Sequence, residues 1–435
     1  MPRPRLAPGE SIDVTVEKGV YRGLGLARHE GQVVFVPRAL PGERLRVRVA
    51  SVERGYVRAI PVQRLAASPL ERPSPCGLFP RCGGCAYQHL AHDAELRMKR
   101  EILEESLRRA HVEWEGPVAA VASPEEGWRT RATFHVEATE TTVRLGLYEE
   151  GSRRVVDLEG GCLQLSLGMN AAVSHLRDLL VGRPVLAGQL SDVHLAESSD
   201  GGQRVAWFLG DVTAAEAARL GAATAEAPWL TGVGVTLGGE GARRPLLVRG
   251  SPYLHADVLG IRLRTHALSF FQGNRFLVEA LAAEVARLVP GGGPILDLYG
   301  GVGLFGLTAG EPASPVVLVD SSETAAADAE ENARSAARQV QVLCGSVEGA
   351  LSGRRSDVGE RVILDPPRSG AGRGVVEAIA ARRPVAIVYV SCEPTTLGRD
   401  LSAFGRLGYR VDSVRLFDLF PATVHLETVV RLVPS

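Results

Sequence analysis

The run "ILDLYGGVGLFGLTAG" (Ile295–Gly310) decides the fold. A strand-like apolar segment enters a glycine-dense turn, where Gly301, Gly303 and Gly306 satisfy G-x-G-x-x-G, and leaves it as a helix-forming stretch. Glycine lets a backbone turn sharply and approach a ligand, and the first N–H groups of the helix offer donors to it. Working outward, "VVLVD" (Val316–Asp320), "VQVLC" (Val340–Cys344), "RVILD" (Arg361–Asp365) and "VAIVYVSC" (Val385–Cys392) are further near-continuous apolar strands. Helix-length segments such as "ETAAADAEENARSAAR" (Glu323–Arg338) separate them. Buried strands joined by crossover helices imply an α/β domain with a parallel, doubly wound sheet, taken as residues 265–435. Two final runs, "RVDSVRLFDLF" (Arg410–Phe420) and "LETVVRLV" (Leu426–Val433), are expected to pair antiparallel at an edge.

Asp320 ends the strand after the glycine loop, 19 residues beyond Gly301, where the ribose of a bound nucleoside needs an acceptor. On the loop alone, NAD and S-adenosylmethionine fit equally. The other strand ends add chemistry: Asp365, Cys392 in "YVSCEP", and Glu427 in "HLETVV". Ligands of open α/β sheets bind outside the carboxyl ends of the strands. Acid, thiol and acid around a nucleoside make a reactive centre, whereas a dehydrogenase wants a hydride-accepting pocket. A small buried residue is the plain alternative for Cys392, but Pro394 and the polar Thr395–Thr396 turn favour a nucleophile.

The rest of the chain reads differently. Of 435 residues, 23% are charged and 45% hydrophobic, as in globular proteins, and the net charge of −1 conceals a basic N-terminal segment. Residues 1–66 hold 12 Lys/Arg against 6 Asp/Glu, in short alternating strands broken by Gly and Pro. That pattern suggests an OB-type β-barrel, a common RNA-binding platform, or else a barrel that only packs on its neighbour. "AASPLERPSPC" is a Pro-rich linker, followed by an amphipathic helix over His92–Ala110 and a mixed α+β region to about residue 264. Residues 67–264 are therefore read as a central domain. Its "CGLFPRCGGC" supplies Cys76, Cys82 and Cys85, and Cys162 is a distant fourth. Four thiolates can hold tetrahedral zinc or a [4Fe–4S] cluster, and spacing alone favours zinc slightly. Cys344 is read as a core residue. With no secretory h-region and no apolar run long enough to span a bilayer, a cytoplasmic protein without membrane contact is expected.

Four separated segments carry a resemblance: "SFFQGN" (Ser269–Asn274), "DLYGGVG" (Asp297–Gly303), "LDPPRSG" (Leu364–Gly370), and "YVSCEPTTLGRD" (Tyr389–Asp400) with "FPATVHLET" (Phe420–Thr428). Together they resemble the uracil-5 RNA methyltransferases, which make 5-methyluridine in ribosomal and transfer RNA, and above all the ribosomal branch with an N-terminal TRAM domain and an iron–sulfur cluster. The resemblance implies a TRAM barrel over residues 1–66, a class I (Rossmann-like) methyltransferase fold in the C-terminal third, and a helix at 92–110 that packs on the catalytic domain. It also implies S-adenosyl-L-methionine as cofactor and a [4Fe–4S] cluster on Cys76, Cys82, Cys85 and Cys162, serving to staple the domain, since methyl transfer consumes no electrons.

The same resemblance implies that Cys392 adds to carbon 6 of uracil and that Glu427 removes the proton from carbon 5. Gln272, Tyr299, Gly301, Asp320 and Asp365 are implied as cofactor contacts, Asp365 alternatively holding the uracil imide, and Phe270 either stacks on the target base or lies in the core. Leu304 and Ser346 depart from the family's polar cofactor-side residues. The expected substrate is a uridine of 23S ribosomal RNA, acted on by a monomer. The alternatives are the T-loop of transfer RNA and, from another class, an iron–sulfur nucleotide-dependent oxidoreductase.

Overall fold

A computed structural model describes residues 6–435 apart from 140, 226, 239–243 and 290. At the N-terminus, strands Ser11–Val20, Leu24–His29, Gln32–Pro37, Tyr56–Ala66 and Arg44–Glu53 close, in that spatial order, into a barrel. Period-2 alternation explains its interior. In "RLRVRV" the residues Leu45, Val47 and Val49 point inward with Ile12, Val14 and Val16, while Arg44, Arg46 and Arg48 face solvent.

The catalytic sheet has eight strands in the order Val340–Cys344, Val316–Asp320, Ile295–Leu298, Arg361–Leu364, Ala386–Ser391, Glu427–Pro434, Tyr409–Phe417 and Ala119–Val121. The first five run parallel, with every residue of Ile295–Leu298, Arg361–Leu364 and Ala386–Ser391 buried, as crossover helices on both faces require. Glu427–Pro434 runs antiparallel to both its neighbours. The expected antiparallel pair is present but does not form the edge: Ala119–Val121 adds outside it, parallel to Tyr409–Phe417.

Residues assigned by sequence to a single central stretch are thus shared between two units. Helix His92–Arg109 packs Met98, Ile102, Leu103 and Leu107 into the catalytic core with Leu397, Leu401 and Phe404 of helix Pro394–Arg406. Gly398 permits this approach, because a Cβ there would sit 2.8 Å from that of Ala110. The hairpin Tyr253–Val258/Ile261–His266 also packs on the catalytic side, through Ala256, Val258 and Leu263, so a boundary at 264/265 cuts a strand. What remains central is a seven-stranded sheet, mostly antiparallel, ordered Arg244–Gly250, Gly232–Leu237, Arg204–Val212, Leu190–Glu197, Arg131–Ala138, Val143–Tyr148 and Val155–Asp157. Helices Leu167–Val181 and Ala214–Ala223 cover it. Among the described residues, no helix is long and apolar enough to cross a membrane.

Candidate active site

The glycine loop is shaped by one buried acid. Asp297, in the middle of strand Ile295–Leu298, is fully buried and accepts the Gly306 N–H at 2.8 Å through one oxygen, leaving Oδ1 without a partner. Only glycine fits at 306, since a Cβ would lie 2.6 Å from the Asp297 carboxylate. Burial, with Asp365 and Asp320 nearby, pushes the Asp297 pKa up to about 8. Beyond the strand, Tyr299 adopts a left-handed φ of 60° and lies half-buried at the loop. Asp320 is held by backbone N–H groups at both carboxylate oxygens. One of its oxygens accepts the Gly301 N–H at 2.9 Å, the other that of Ser322 at 2.8 Å. Space is open over Gly301, where a Cβ would meet nothing within 4 Å.

The segment Ser269–Asn274 is fixed from outside the catalytic sheet. Arg131 donates to the Ser269 carbonyl at 2.9 Å, the Ser269 hydroxyl donates to Asp328 at 2.8 Å, and the Thr130 N–H donates to the Gly273 carbonyl at 2.9 Å. Three adjacent side chains then take different directions. Phe271 is buried at 8% exposure, Gln272 is buried with Nε2 at 3.5 Å from Asp365 and Oε1 unpartnered, and Phe270 stands 71% exposed. Phe270 is therefore not the core residue that one reading allowed.

Cys392 and Glu427 meet because their strands are neighbours. Ser391 pairs with Thr428, so one step further along each chain brings the thiol and the carboxyl to the same end of the ladder. Glu427 is buried with Oε1 unpartnered, and burial, reinforced by Asp365, holds its carboxyl well above the usual range. Asp365 is raised to about 7 by its desolvated surroundings. Burial and the facing Glu427 and Asp365 push the Cys392 thiol up to about 12, against a smaller downward pull from Arg368. All three groups are thus shifted toward their protonated forms.

Sequence reading missed Asp297, although a lone acid inside "ILDL" was its signal. Arg368 and His425, both within quoted motifs, were passed over too; their ring and guanidinium nitrogens lie 3.4 Å apart. Two placements are corrected or extended. Cys344 is exposed, because Val340–Cys344 is an edge strand covered on one side only. Leu304 is buried in the short helix Leu304–Thr308, while Ser346 caps helix Val347–Ser352 by accepting the Gly349 N–H at 3.1 Å.

The four remaining thiols share one neighbourhood. Burial raises Cys85 to about 12, with added repulsion from Cys162, Cys82 and Cys76, and burial also raises Cys82 and Cys162. Donors face the sulfurs: Gly84 N–H to Cys82 Sγ at 3.4 Å, and Gln164 and Gln88 to Cys85 Sγ at 3.0 and 3.4 Å. Arg38 of the barrel donates to the carbonyls of Cys82 and Cys85 at 3.0 and 3.1 Å, tying the loop to the barrel. Among the described residues, however, no three His, Cys, Asp or Glu side chains are gathered as a metal-ion site.

Comparison with known proteins agrees with this layout. The tRNA (Uracil-5-)-methyltransferase family model matches residues 260–434, and the TRAM domain model matches residues 5–62. An uncharacterized RNA methyltransferase of Aquifex aeolicus is 32% identical, covering 97% of this chain and 98% of its own. The 23S rRNA (uracil(1939)-C(5))-methyltransferase RlmD of Pseudomonas fluorescens is 31% identical over 98% of this chain and 95% of its own. Among solved structures, the Pyrococcus abyssi tRNA (uracil-54, C5)-methyltransferase in complex with S-adenosyl-L-homocysteine superposes with a TM-score of 0.75. That match has 26% identity and covers 97% of this chain and 99% of that one. The chain belongs to the S-adenosylmethionine-dependent RNA (uracil-5-)-methyltransferases.

Proposed function

We propose that this enzyme makes 5-methyluridine at a uridine of 23S ribosomal RNA through a covalent bond from Cys392 to carbon 6 of the base. The observation that carries the reading is the meeting of Cys392 and Glu427 at adjacent strand ends beside the glycine loop. Carbon 5 of uracil is a weak nucleophile. The Cys392 thiol gives up its proton to solvent, and attack of the resulting thiolate on carbon 6 forms the S–C bond, breaks the C5–C6 π bond and moves its electrons toward O4, which activates carbon 5. S-adenosyl-L-methionine, when bound, supplies the methyl group on a sulfonium whose positive charge also offsets the carboxyls facing the thiol. Carbon 5 then carries both methyl and proton. The Glu427 carboxylate takes that proton, the electron pair re-forms the double bond, and the Cys392 sulfur leaves.

The charge environment suits this order. A buried thiol facing two acids keeps its proton and is a poor nucleophile until bound ligands bring countercharge. Glu427, once ionised, is a stronger base than an exposed carboxylate, and its unpartnered Oε1 is open to a proton. Phe270, exposed at the site, is assigned to stack on the flipped-out base. Gln272, Tyr299, Gly301, Asp320 and Asp365 are assigned to the cofactor and to the uracil imide.

The ribosomal target rests on the Pseudomonas fluorescens relative. A transfer-RNA target is the second reading, favoured by the match to the Pyrococcus abyssi enzyme. The oxidoreductase alternative is replaced by the family assignment. RNA carrying 5-fluorouridine separates mechanism from target: it should stall as an adduct on Cys392, since fluorine cannot leave as a proton. An active enzyme that never forms the adduct overturns the mechanism. Mapping 5-methyluridine in ribosomal and transfer RNA from cells lacking the gene decides the target.

Cys76, Cys82, Cys85 and Cys162 are proposed as ligands of a [4Fe–4S] cluster. Support comes from the mutual proximity of the four thiols and from the N–H donors already aimed at the sulfurs of Cys82 and Cys85. Bound there, the cluster would supply no redox step and would cross-link the loop to the central sheet. Iron and sulfide analysis of anaerobically purified protein tests this, and zinc at one equivalent with no iron would overturn it.

A further inference from the structure

The barrel meets the catalytic domain at the active-site mouth. Tyr21, at the turn after strand Ser11–Val20, donates its hydroxyl to Glu393 at 2.7 Å, and Glu393 follows Cys392 directly. Gly23 lies so close to the loop before Glu427 that a Cβ there would come within 2.9 Å of Val424. Between these contacts lies a cavity of about 640 Å³ whose walls include Tyr21, Arg22, Arg368, Glu393, Thr396 and His425.

The charge of this notch is not spent on the protein. Arg22 and Arg368 are both exposed, and neither forms a carboxylate ion pair among the described residues, whereas Arg38 and Arg399 do. His425 meets Arg368 at 3.4 Å, and its buried Nδ1 has no partner. Burial first, then Arg368, lowers its pKa to about 4, so the ring is neutral and offers one N–H without adding charge. The one carboxylate in the wall, Glu393, is buried and engaged by Tyr21. Arg368 is near enough to Cys392 to influence its thiol. Arg22 and His425 also border a neighbouring cleft of about 890 Å³ in which Arg38, Arg129 and Arg153 outnumber the carboxylates Glu149 and Glu150, Arg38 being paired with Glu150.

We propose that Arg22 of the barrel and Arg368 and His425 of the catalytic domain form a binding site for the RNA backbone phosphate adjoining the target uridine. Two guanidiniums and an imidazole suit a phosphodiester, a monoanion that shares its charge over two non-bridging oxygens and has no proton to donate. The site exists only while barrel and catalytic domain are docked, and the Tyr21–Glu393 hydrogen bond marks that docking. Substrate backbone would then bridge the two domains while the adjacent base reaches Cys392.

This rests on the proposed RNA mechanism but is measured by binding. The probe is a hairpin RNA that the wild-type enzyme methylates, and a second version carries an uncharged methylphosphonate at the linkage next to the target. With the unmodified RNA, the double variant Arg22→Ala/Arg368→Ala should bind about tenfold more weakly. Its dependence of log K on log salt should flatten by about 0.7–0.9, the equivalent of one phosphate. The wild type should lose similar affinity for the methylphosphonate RNA, whereas the double variant should not distinguish the two RNAs. Arg22→Lys/Arg368→Lys should recover the salt slope. Equal losses from the variant and the methylphosphonate that simply add would overturn the site. A 5-fluorouridine version of the hairpin that still traps the wild type on Cys392 shows in that case that the Cys392 reading stands and only the notch has failed.

Discussion

Two buried clusters of ionisable side chains lie on either side of the strand Glu427–Pro434 and its preceding loop, and they are built on opposite rules. In one, Lys99 on helix His92–Arg109 is 1% exposed and lies 2.7 Å from both Glu95 and Asp418, while His92 reaches Asp418 at 2.9 Å. Glu95 in turn accepts the Ala422 N–H at 2.8 Å, and Lys99 donates to the Phe420 carbonyl at 3.0 Å. Burial opposes charge on all three, yet Lys99 is held above its ordinary pKa by Glu95 and Asp418, and Asp418 below its own by Lys99, while burial keeps Glu95 raised. In the other, Asp297, Asp365, Glu427 and Cys392 are gathered with no buried cation paired to them among the described residues, and every one is shifted toward its neutral form. A paired cluster fixes the loop that leads to Glu427. An unpaired one holds free energy in reserve for ligands that bring the missing charge.

The largest expected effect separates the clusters by chemistry. Glu427→Gln keeps the shape and removes the base, so turnover should fall roughly 10²- to 10⁴-fold. Because carbon 6 attack does not need Glu427, the methylated base should remain attached to Cys392 and be seen as a protein–RNA adduct of full methyl content. Rapid turnover with no adduct removes Glu427 from the role. Next in size is Lys99→Met, which strands two buried carboxyls and should cost about 3–5 kcal/mol of stability in denaturant unfolding. A loss below about 1 kcal/mol would show that the two clusters do not differ as described.

How far the sequence carried this picture follows from where each signal resides. The parallel strands and the glycine loop are local patterns, and the strand-end rule placed Cys392, Asp365 and Glu427 at one edge before any coordinates. What stayed hidden depends on tertiary neighbours. Ala119–Val121 has three residues and no periodicity to announce a strand; it forms because Tyr409–Phe417 presents an open edge. Cys344 reads as core from its apolar run, and only its edge position exposes it. Phe270 and Phe271 are indistinguishable in sequence and face opposite environments. The Tyr21–Glu393 bond joins residues 372 apart, beyond any motif. Lys99 left a trace: the chain has only two lysines, and both contact acids through helix His92–Arg109, Lys18 reaching Glu105 at 2.5 Å. A compact ammonium fits between two carboxylates where a planar guanidinium does not.

The smallest effect tests the unpaired cluster through stability alone. Asp297 titrates near 3.8 when unfolded and is pushed to about 8 when folded, so between these values the native state binds the extra proton. Stability therefore falls as pH rises from about 4 to about 8, since the slope follows the protons bound unfolded minus those bound folded. Asp297→Asn cannot titrate, and its side-chain oxygen still accepts the Gly306 N–H. The variant should match the wild type near pH 3–3.5, below the unfolded pKa, and exceed it near pH 8 by on the order of 1–3 kcal/mol, read from urea midpoints at the two pH values. A variant less stable at both would mean that Asp297 has an undetected cationic partner. The acids at the strand ends would then follow the same rule as Lys99.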